Sequence, residues 1–396
     1  MAANYRFAYD PGTIVYGRNS VARIEDELER IGAERALIVC GSTVGATDSV
    51  IDPVVDGIGD RLAGVFDETT PDKRLTTVFD GVDRMNADDV DALVSLGGGS
   101  SLDIAKVMSV VSAGDRSEEG VRSTFERQRT IPMPEEEVVP IVAVPTTLAG
   151  SDLSAVAGIT ARESGFTRGA LIGRRLMPEA LCYDPALFET TPHEILCASA
   201  MNGFDKAVES LYAHNATPIT DGTAVRSLRL LGRGLPRLGQ GDRSEETLHD
   251  SIVGTVLAQY GALGGENVTA SVIHSFGHGI SRGYAIQQGG AHGIIAPHAL
   301  RYVFDNVYGR RDLLAEGFDV GPADDPDATA AAVIDAVETV RNALDLPTGL
   351  REIDDMSESD LSEIATDVAD DVMMTNAPDG LEPTADELEA VLRKAW

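Results

Sequence analysis

Leu93-Val94-Ser95-Leu96-Gly97-Gly98-Gly99-Ser100-Ser101-Leu102-Asp103-Ile104-Ala105-Lys106 constrains this chain more than any other stretch. A short apolar run meets three consecutive glycines and a serine, then passes into an amphipathic segment. That order predicts strand, tight loop and helix. Glycine tolerates positive φ and lets backbone approach a ligand closely. The first N–H groups of the following helix lie unpaired at the positive end of its dipole and suit a phosphate. The spacing is neither G-x-G-x-x-G nor the Walker pattern. On its own, the loop would serve equally as a plain turn between strand and helix.

The loop has companions. A second apolar run, Val138 to Val144, leads into Pro145-Thr146-Thr147-Leu148-Ala149-Gly150-Ser151-Asp152. Later come Ile273-His274-Ser275-Phe276-Gly277-His278-Gly279, Ala291-His292-Gly293 and Ala296-Pro297-His298. Together these resemble the iron-containing (group III) alcohol dehydrogenases, with their GGGSxxDxAK loop, PTTxxGSE turn and histidine-rich helical segment. The likeness runs from Phe7 to a closing stretch, Asn376 to Trp396.

At 396 residues the chain suits two domains with substantial cores. It carries 64 acidic against 32 basic residues, a formal charge of -32. So acidic a surface repels nucleic acid and anionic membrane, and excludes both as partners. Only Lys73, Lys106, Lys206 and Lys394 are lysines; the other basic residues are arginines. Acid-rich, lysine-poor enzymes are typical of salt-adapted cytoplasm, where ionic strength screens self-repulsion, so a halophilic source is expected. Cys40, Cys182 and Cys197 form no CxxC and indicate no disulfide framework. No targeting segment and no membrane-spanning run is legible, which predicts a cytoplasmic protein.

Strand-like runs at 36–40, 92–96, 138–144 and 181–183 alternate with helical patterns, the first of these over 21–31. Such alternation predicts βαβ units and a parallel sheet with ligands at the strands' carboxyl ends. From Thr190 onward strand signals vanish, and 192–212, 244–260 and 328–344 read as helices. The expected architecture is an α/β, doubly wound parallel-sheet dinucleotide-binding domain over residues 1–188. An all-helical catalytic domain follows over 189–396, with the active site in the cleft. Residues 356–377 read as helical and solvated.

The proposed cofactor site comprises Gly97, Gly98, Gly99, Ser100 and Asp103, with Thr146 and Thr147 added on the strength of the resemblance. Asp103 and Lys106, one helical turn apart, also suit a surface ion pair. After Val39, NAD-preferring members of the family often place an acid for the ribose hydroxyls. This chain has Cys40-Gly41-Ser42. Gly41 leaves room for a 2′-phosphate, so either NAD or NADP is expected, with a tilt towards NADP.

The resemblance also implies one divalent metal, held by an Asp, a His four residues on, and two later histidines. Aligned on Glu209, those positions are Asn202, Lys206, His274 and Gln288, so one ligand of four remains. A shifted register would offer the carboxylates Asp205 and Glu209, four apart, to His274 and His292, an Asp and two histidines being a sensible ligand set. The ungapped match through Met201-Asn202 and Glu209-Ser210-Leu211 resembles the maleylacetate reductase branch and favours the first register, with no metal. Lys206 is one of four lysines, and it stands where a metal-binding histidine would. Its ammonium could stabilise developing oxyanion charge as a metal does; a lysine snorkelling or paired with Asp205 or Glu209 is the plainer alternative. His274 and His278 share a helical face, and His278 is the candidate proton donor. His292 and His298 are expected one layer out; His193, His214 and His249 are expected to be structural or exposed.

The leading expectation is therefore a nicotinamide-dependent oxidoreductase with Lys206, His278 and His274 as its catalytic candidates. It would move hydride between nicotinamide and a carbonyl or activated C=C of a small, possibly anionic, molecule. Arg162, Arg168, Arg174 and Arg175 could hold such an anion, or simply form a solvated loop. Alternatives are a metal-dependent alcohol or polyol dehydrogenase using Asp205, His274 and His292, and a dehydroquinate-synthase-like lyase. The family also implies a homodimer or larger assembly.

Overall fold

This computed structural model describes residues 12–161, 167–262, 268–321 and 323–396. The chain forms two compact units. One is an α/β unit that runs to Thr147 and resumes over Ser151–Thr191. The other is helical and comprises Pro192–Trp396 with the tripeptide Leu148–Gly150.

The α/β unit contains β1 (Thr13–Tyr16), α1 (Ile24–Arg30), β2 (Ala36–Gly41), α2 (Ser42–Gly45), α3 (Asp48–Ile58), β3 (Leu62–Thr69) and α4 (Leu75–Ala87). It continues through β4 (Ala92–Gly97), α5 (Gly99–Ser112), α6 (Glu118–Gln128), β5 (Ile141–Pro145), β6 (Val156–Ala161), β7 (Thr167–Ile172), β8 (Ala180–Tyr183) and α7 (Pro185–Thr190). Six strands form one parallel sheet in the order β1-β8-β5-β4-β2-β3. Its central strands are apolar almost without interruption because helices cover both faces. Ile38, Cys40, Val94, Leu96, Val142 and Val144 pack with Ile24, Leu28, Val50, Val54 and Ile58 of α1 and α3. Residues of opposite parity on β2 and β4 turn the other way, the side on which α5 packs against both strands and against α4. Each fully buried Val, Leu or Ile contributes about 1.5–3 kcal/mol. This is the doubly wound sheet expected from the periodicity.

The sheet fixes where a ligand can sit. β3 and β4 flank β2 on opposite sides, so the chain reverses its winding there and leaves a crevice at the carboxyl ends of β2 and β4. Gly41 and Gly97 occupy those ends. Strand β5 begins at Ile141 rather than Val138, after Pro140, which has no N–H to give to a ladder.

One element was not foreseen. β6 and β7 pair antiparallel as a separate two-stranded sheet. The helix α5 anchors it: Lys106 Nζ donates to the carbonyls of Ser154 at 2.6 Å and Val156 at 3.1 Å. Asp103 Oδ2 accepts from Gly158 N–H at 3.1 Å and pairs with Lys73 Nζ at 2.6 Å. Asp103 and Lys106 are therefore buried against β6 rather than paired at the surface. Burial pushes the Lys106 ammonium down to about 8, against the raising charges of Asp103 and Asp152.

The helical unit holds α8 (His193–Tyr212), α9 (Pro218–Gly239), α10 (Glu245–Ala262), α11 (Val272–Gly283), α12 (Gln288–Asn306), α13 (Arg311–Phe318), α14 (Pro326–Ala343), α15 (Leu361–Ala369) and α16 (Ala385–Lys394). Among the described residues no strand follows Tyr183. Local chemistry marks the breaks: Thr217 caps α9 by accepting from Thr220 N–H, while Thr220 Oγ1 accepts from Thr217 N–H in return. The expected boundary at 188/189 falls inside α7; the units part after Thr191. Among the described residues no helix is long and apolar enough to cross a membrane.

Candidate active site

At the end of β4, Gly97 adopts φ +127°, a conformation side chains resist. Gly98 then begins α5 without any side-chain cap, which leaves the first helical N–H groups for an outside acceptor. Space around the loop is tight. A Cβ at Gly98 would stand 3.3 Å from Thr147 Cγ2, and one at Gly99 would stand 2.7 Å from Ser151 Oγ. That Ser151 hydroxyl is buried and has no hydrogen-bond partner. An uncapped helix start beside an orphaned hydroxyl fits an anionic oxygen, and the chemistry suits a dinucleotide's diphosphate. Gly97 pairs with Pro145 in the sheet, and Thr146 N–H donates to Gly97 O at 3.0 Å. The glycine loop and the Pro-Thr-Thr turn are thus joined directly. Gly98, Gly99, Ser100 and Thr147 are partly accessible; Thr146 is buried, and the carboxylate of Asp103 is committed to Lys73 and β6.

In the helical unit, α8 presents Asn202, Asp205, Lys206 and Glu209. Lys206 Nζ donates to Ala149 O at 2.8 Å, to Asn202 Oδ1 at 3.1 Å and to Asn202 O at 3.3 Å. The ammonium is thereby held against the tripeptide Leu148–Gly150. Glu209 faces α11. Its Oε1 accepts from Ile273 N–H at 2.6 Å, His274 N–H at 3.2 Å and Tyr212 OH at 3.0 Å, and its Oε2 meets His274 Nδ1. The start of α11 has no side-chain cap of its own, so a carboxylate from another helix takes those donors. Burial pushes Glu209 up to about 7, while the donors around it act to lower it. Burial holds His274 well below its usual range, reinforced by the charges of Lys206 and His278, so its ring stays neutral.

His278 lies one turn further along α11. Its side chain is 34% exposed, and Nδ1 stands 3.0 Å from Asp371 Oδ2. His292 on α12 is fully buried, 3.2 Å from Asp205 Oδ2, with its ring 4.5 Å from that of His274. Burial drives both Asp205 up and His292 down, towards their neutral forms. His298 is partly buried, and burial lowers it to about 4. His193, His214 and His249 are exposed.

The residues present do not fit a divalent metal. In the first register, Asn202 and Gln288 are amides and Lys206 is an ammonium with no lone pair, and it already takes the Asn202 amide oxygen. In the shifted register, Glu209 on Nδ1 leaves His274 Nε2 for a metal, but Asp205 and His292 are turned on one another at 3.2 Å. His292 Nε2 packs on Gly277, where a Cβ would stand 2.2 Å from it. Among the described residues no three His, Cys, Asp or Glu side chains are grouped to hold a metal.

Three of the four arginines lie among the described residues. Arg175 donates to Glu136 O at 2.6 Å and to Pro134 O, securing a loop. Arg168 belongs to β7 and Arg174 to the short 3-10 turn Arg174–Leu176; Arg162 lies outside the described residues.

A parallel sheet with an anion-ready glycine loop, and a helical unit carrying a buried lysine and carboxylate-backed histidines, define an oxidoreductase of the dehydrogenase type. The profile described as iron-containing alcohol dehydrogenase matches residues 11–185, and that of the family's C-terminal part matches 196–396. The chain belongs to the iron-containing alcohol dehydrogenase family. It is 30% identical to the NAD-dependent methanol dehydrogenase of Bacillus methanolicus over 93% of this chain and 94% of that one. It is 28% identical to the maleylacetate reductase of Pseudomonas knackmussii over 99% of this chain and 98% of that one. Among solved structures, a 1,3-propanediol oxidoreductase shares the fold with a TM-score of 0.87 at 21% identity, covering 99% of this chain and 100% of its own.

Sequence reasoning missed two groups that the fold brings in. Glu209, read as an alignment anchor, a partner for Lys206 or a metal carboxylate, instead orients His274. Asp371, in a stretch read as solvated, is buried behind His278.

Proposed function

We propose that this enzyme is a nicotinamide-dependent reductase that works without a tightly held divalent metal, its substrate a small carbonyl compound or an unsaturated keto acid. The observation that carries this reading is Lys206: a buried ammonium, set by Ala149 and Asn202, at a position where the resemblance implies a metal-binding histidine. The maleylacetate reductases among its relatives support the keto-acid substrate, and an NAD-dependent relative supports the nicotinamide.

Gly97, Gly98, Gly99 and Ser100 would hold the diphosphate on the uncapped start of α5, with Thr146 and Thr147 beside it. Gly41, at the end of β2, leaves the ribose position free of a carboxylate, which accommodates NADPH as well as NADH. The nicotinamide supplies a hydride from C4. Lys206 stabilises the negative charge that builds on the substrate's carbonyl oxygen as hydride arrives. His278, as imidazolium, gives its proton to the oxygen or carbon that gained electron density, and bulk water reprotonates it. His274, held neutral, fixes the wall beside Lys206.

The test is steady-state oxidation of NADH and of NADPH against maleylacetate and a panel of aldehydes and ketones, with metal analysis and activity before and after chelator. Undiminished activity after chelator is expected. Stoichiometric zinc or iron bound through Asp205, His274 and His292, with activity lost on its removal, would sink the proposal.

A further inference from the structure

We propose that Asp371 is the positioning residue of His278, fixing the imidazole so that Nε2 is the nitrogen offered to substrate. The inference rests on His278 being the proton donor. The side chain of Asp371 is 6% exposed, and its Oδ2 lies 3.0 Å from His278 Nδ1. Its other oxygen is occupied: Oδ1 accepts from Met373 N–H at 2.9 Å, capping the 3-10 helix Val372–Asn376. That helix is fastened at its far end, where Asn376 Nδ2 donates to Ala270 O at 2.8 Å and Asn376 O accepts from His214 N–H. The carboxylate therefore has one oxygen locked on backbone and one left for the ring. A carboxylate in that place selects the Nδ1–H tautomer and stabilises the imidazolium.

The surrounding charges agree. On α11 itself, Arg282 lies 3.9 Å from Asp371 and pairs with Asp367 of α15 at 2.8 Å. Lys206 of α8, His274 of α11 and His292 of α12 also act on this corner. Burial acts to raise the Asp371 carboxyl, but the hydrogen bond and charge of His278, the Met373 N–H and Arg282 outweigh it and keep it ionised. Capping alone would not require an aspartate, because Asn and Ser cap as well.

Asp371→Asn and Asp371→Ser both keep a capping acceptor; the first lacks the charge and the second cannot reach the ring. In both, the rate of NAD(P)H-linked reduction is expected to fall on the order of 10²-fold, within the range a general acid supplies. The KM for cofactor should hold while kcat falls, the split expected when a proton donor is misaligned and the site is otherwise intact. Asp371→Glu should recover part of the rate. Parental rate and pH profile in both variants, with His278→Ala inactive, would overturn this inference and leave the reductase reading standing. Full activity of His278→Ala would instead remove the proton-donor reading, and this inference with it.

Discussion

Glu209 meets His274 with both carboxylate oxygens, Oε1 on the backbone N–H and Oε2 on the ring Nδ1. One side chain therefore sets both the start of α11 and the tautomer of its first histidine. The ring nitrogen left over, Nε2, is buried and has no partner. Such a pair is costly to bury and rigid once formed.

Glu209→Gln should change how stability depends on pH. The folded carboxyl titrates near about 7 against an ordinary 4.5, so between those values the folded chain holds a proton that the unfolded chain has lost. In that window this group's contribution is fully present below the lower value and is lost as pH rises. Removing it should make the variant gain on the parent by about 1.4 kcal/mol per pH unit across the window. Denaturant unfolding of both proteins at several pH values checks this; parallel curves would refute it.

Gly98→Val should abolish cofactor binding and spare the fold. Gly98 has φ -92° and ψ -174°, extended backbone that valine adopts without strain. Its side chain would crowd Thr147 and the start of α5. Fluorescence titration with NADH and NADPH should show no saturation, while thermal unfolding stays near the parent. Unchanged affinity would place the diphosphate elsewhere.

Lys206→Met should cut turnover on the order of 10²–10³-fold, the usual loss when a positioned charge leaves a transition state. It also strands the Ala149 carbonyl, at a cost of about 1–3 kcal/mol in stability. Cofactor affinity should be nearly untouched. A variant with parental kcat would show that Lys206 serves only to hold the tripeptide.

Raising ionic strength from about 0.1 M to about 1 M shortens the screening length from about 10 Å to about 3 Å. With a formal charge of -32, relief of self-repulsion should outweigh the weakening of exposed pairs such as Arg393–Glu389, which solvent already screens. The unfolding temperature should climb with salt. A flat or falling temperature would contradict a salt-adapted origin.

Much of the α/β unit was legible because its central strands are apolar on both faces and the glycine loop interrupts them abruptly. The β6–β7 pair was not. Its strands lack a clean alternation, β6 being buried or half-buried throughout, and Arg168 in β7 disguises the second as loop. The burial of Lys106 was not legible because spacing along a helix says which residues share a face, not whether that face is covered. Asp371 was invisible for a different reason: in a chain with 64 acids, one carboxylate carries no signal until a partner 93 positions away is known.

The tripeptide Leu148–Gly150 belongs with the helical unit although α/β residues flank it on both sides. Leu148 N–H donates to Ser199 Oγ at 3.0 Å, and Ala149 O accepts from Lys206. The two halves are consequently not interchangeable modules, despite each matching its own family profile. A recombinant that joined residues 192–396 to the front half of a distant cousin would import a lysine and a serine that need main-chain groups of this turn on a matching path. Successful hybrids should carry these three residues across with the second half, so crossover points for recombination lie at three places in this gene rather than one.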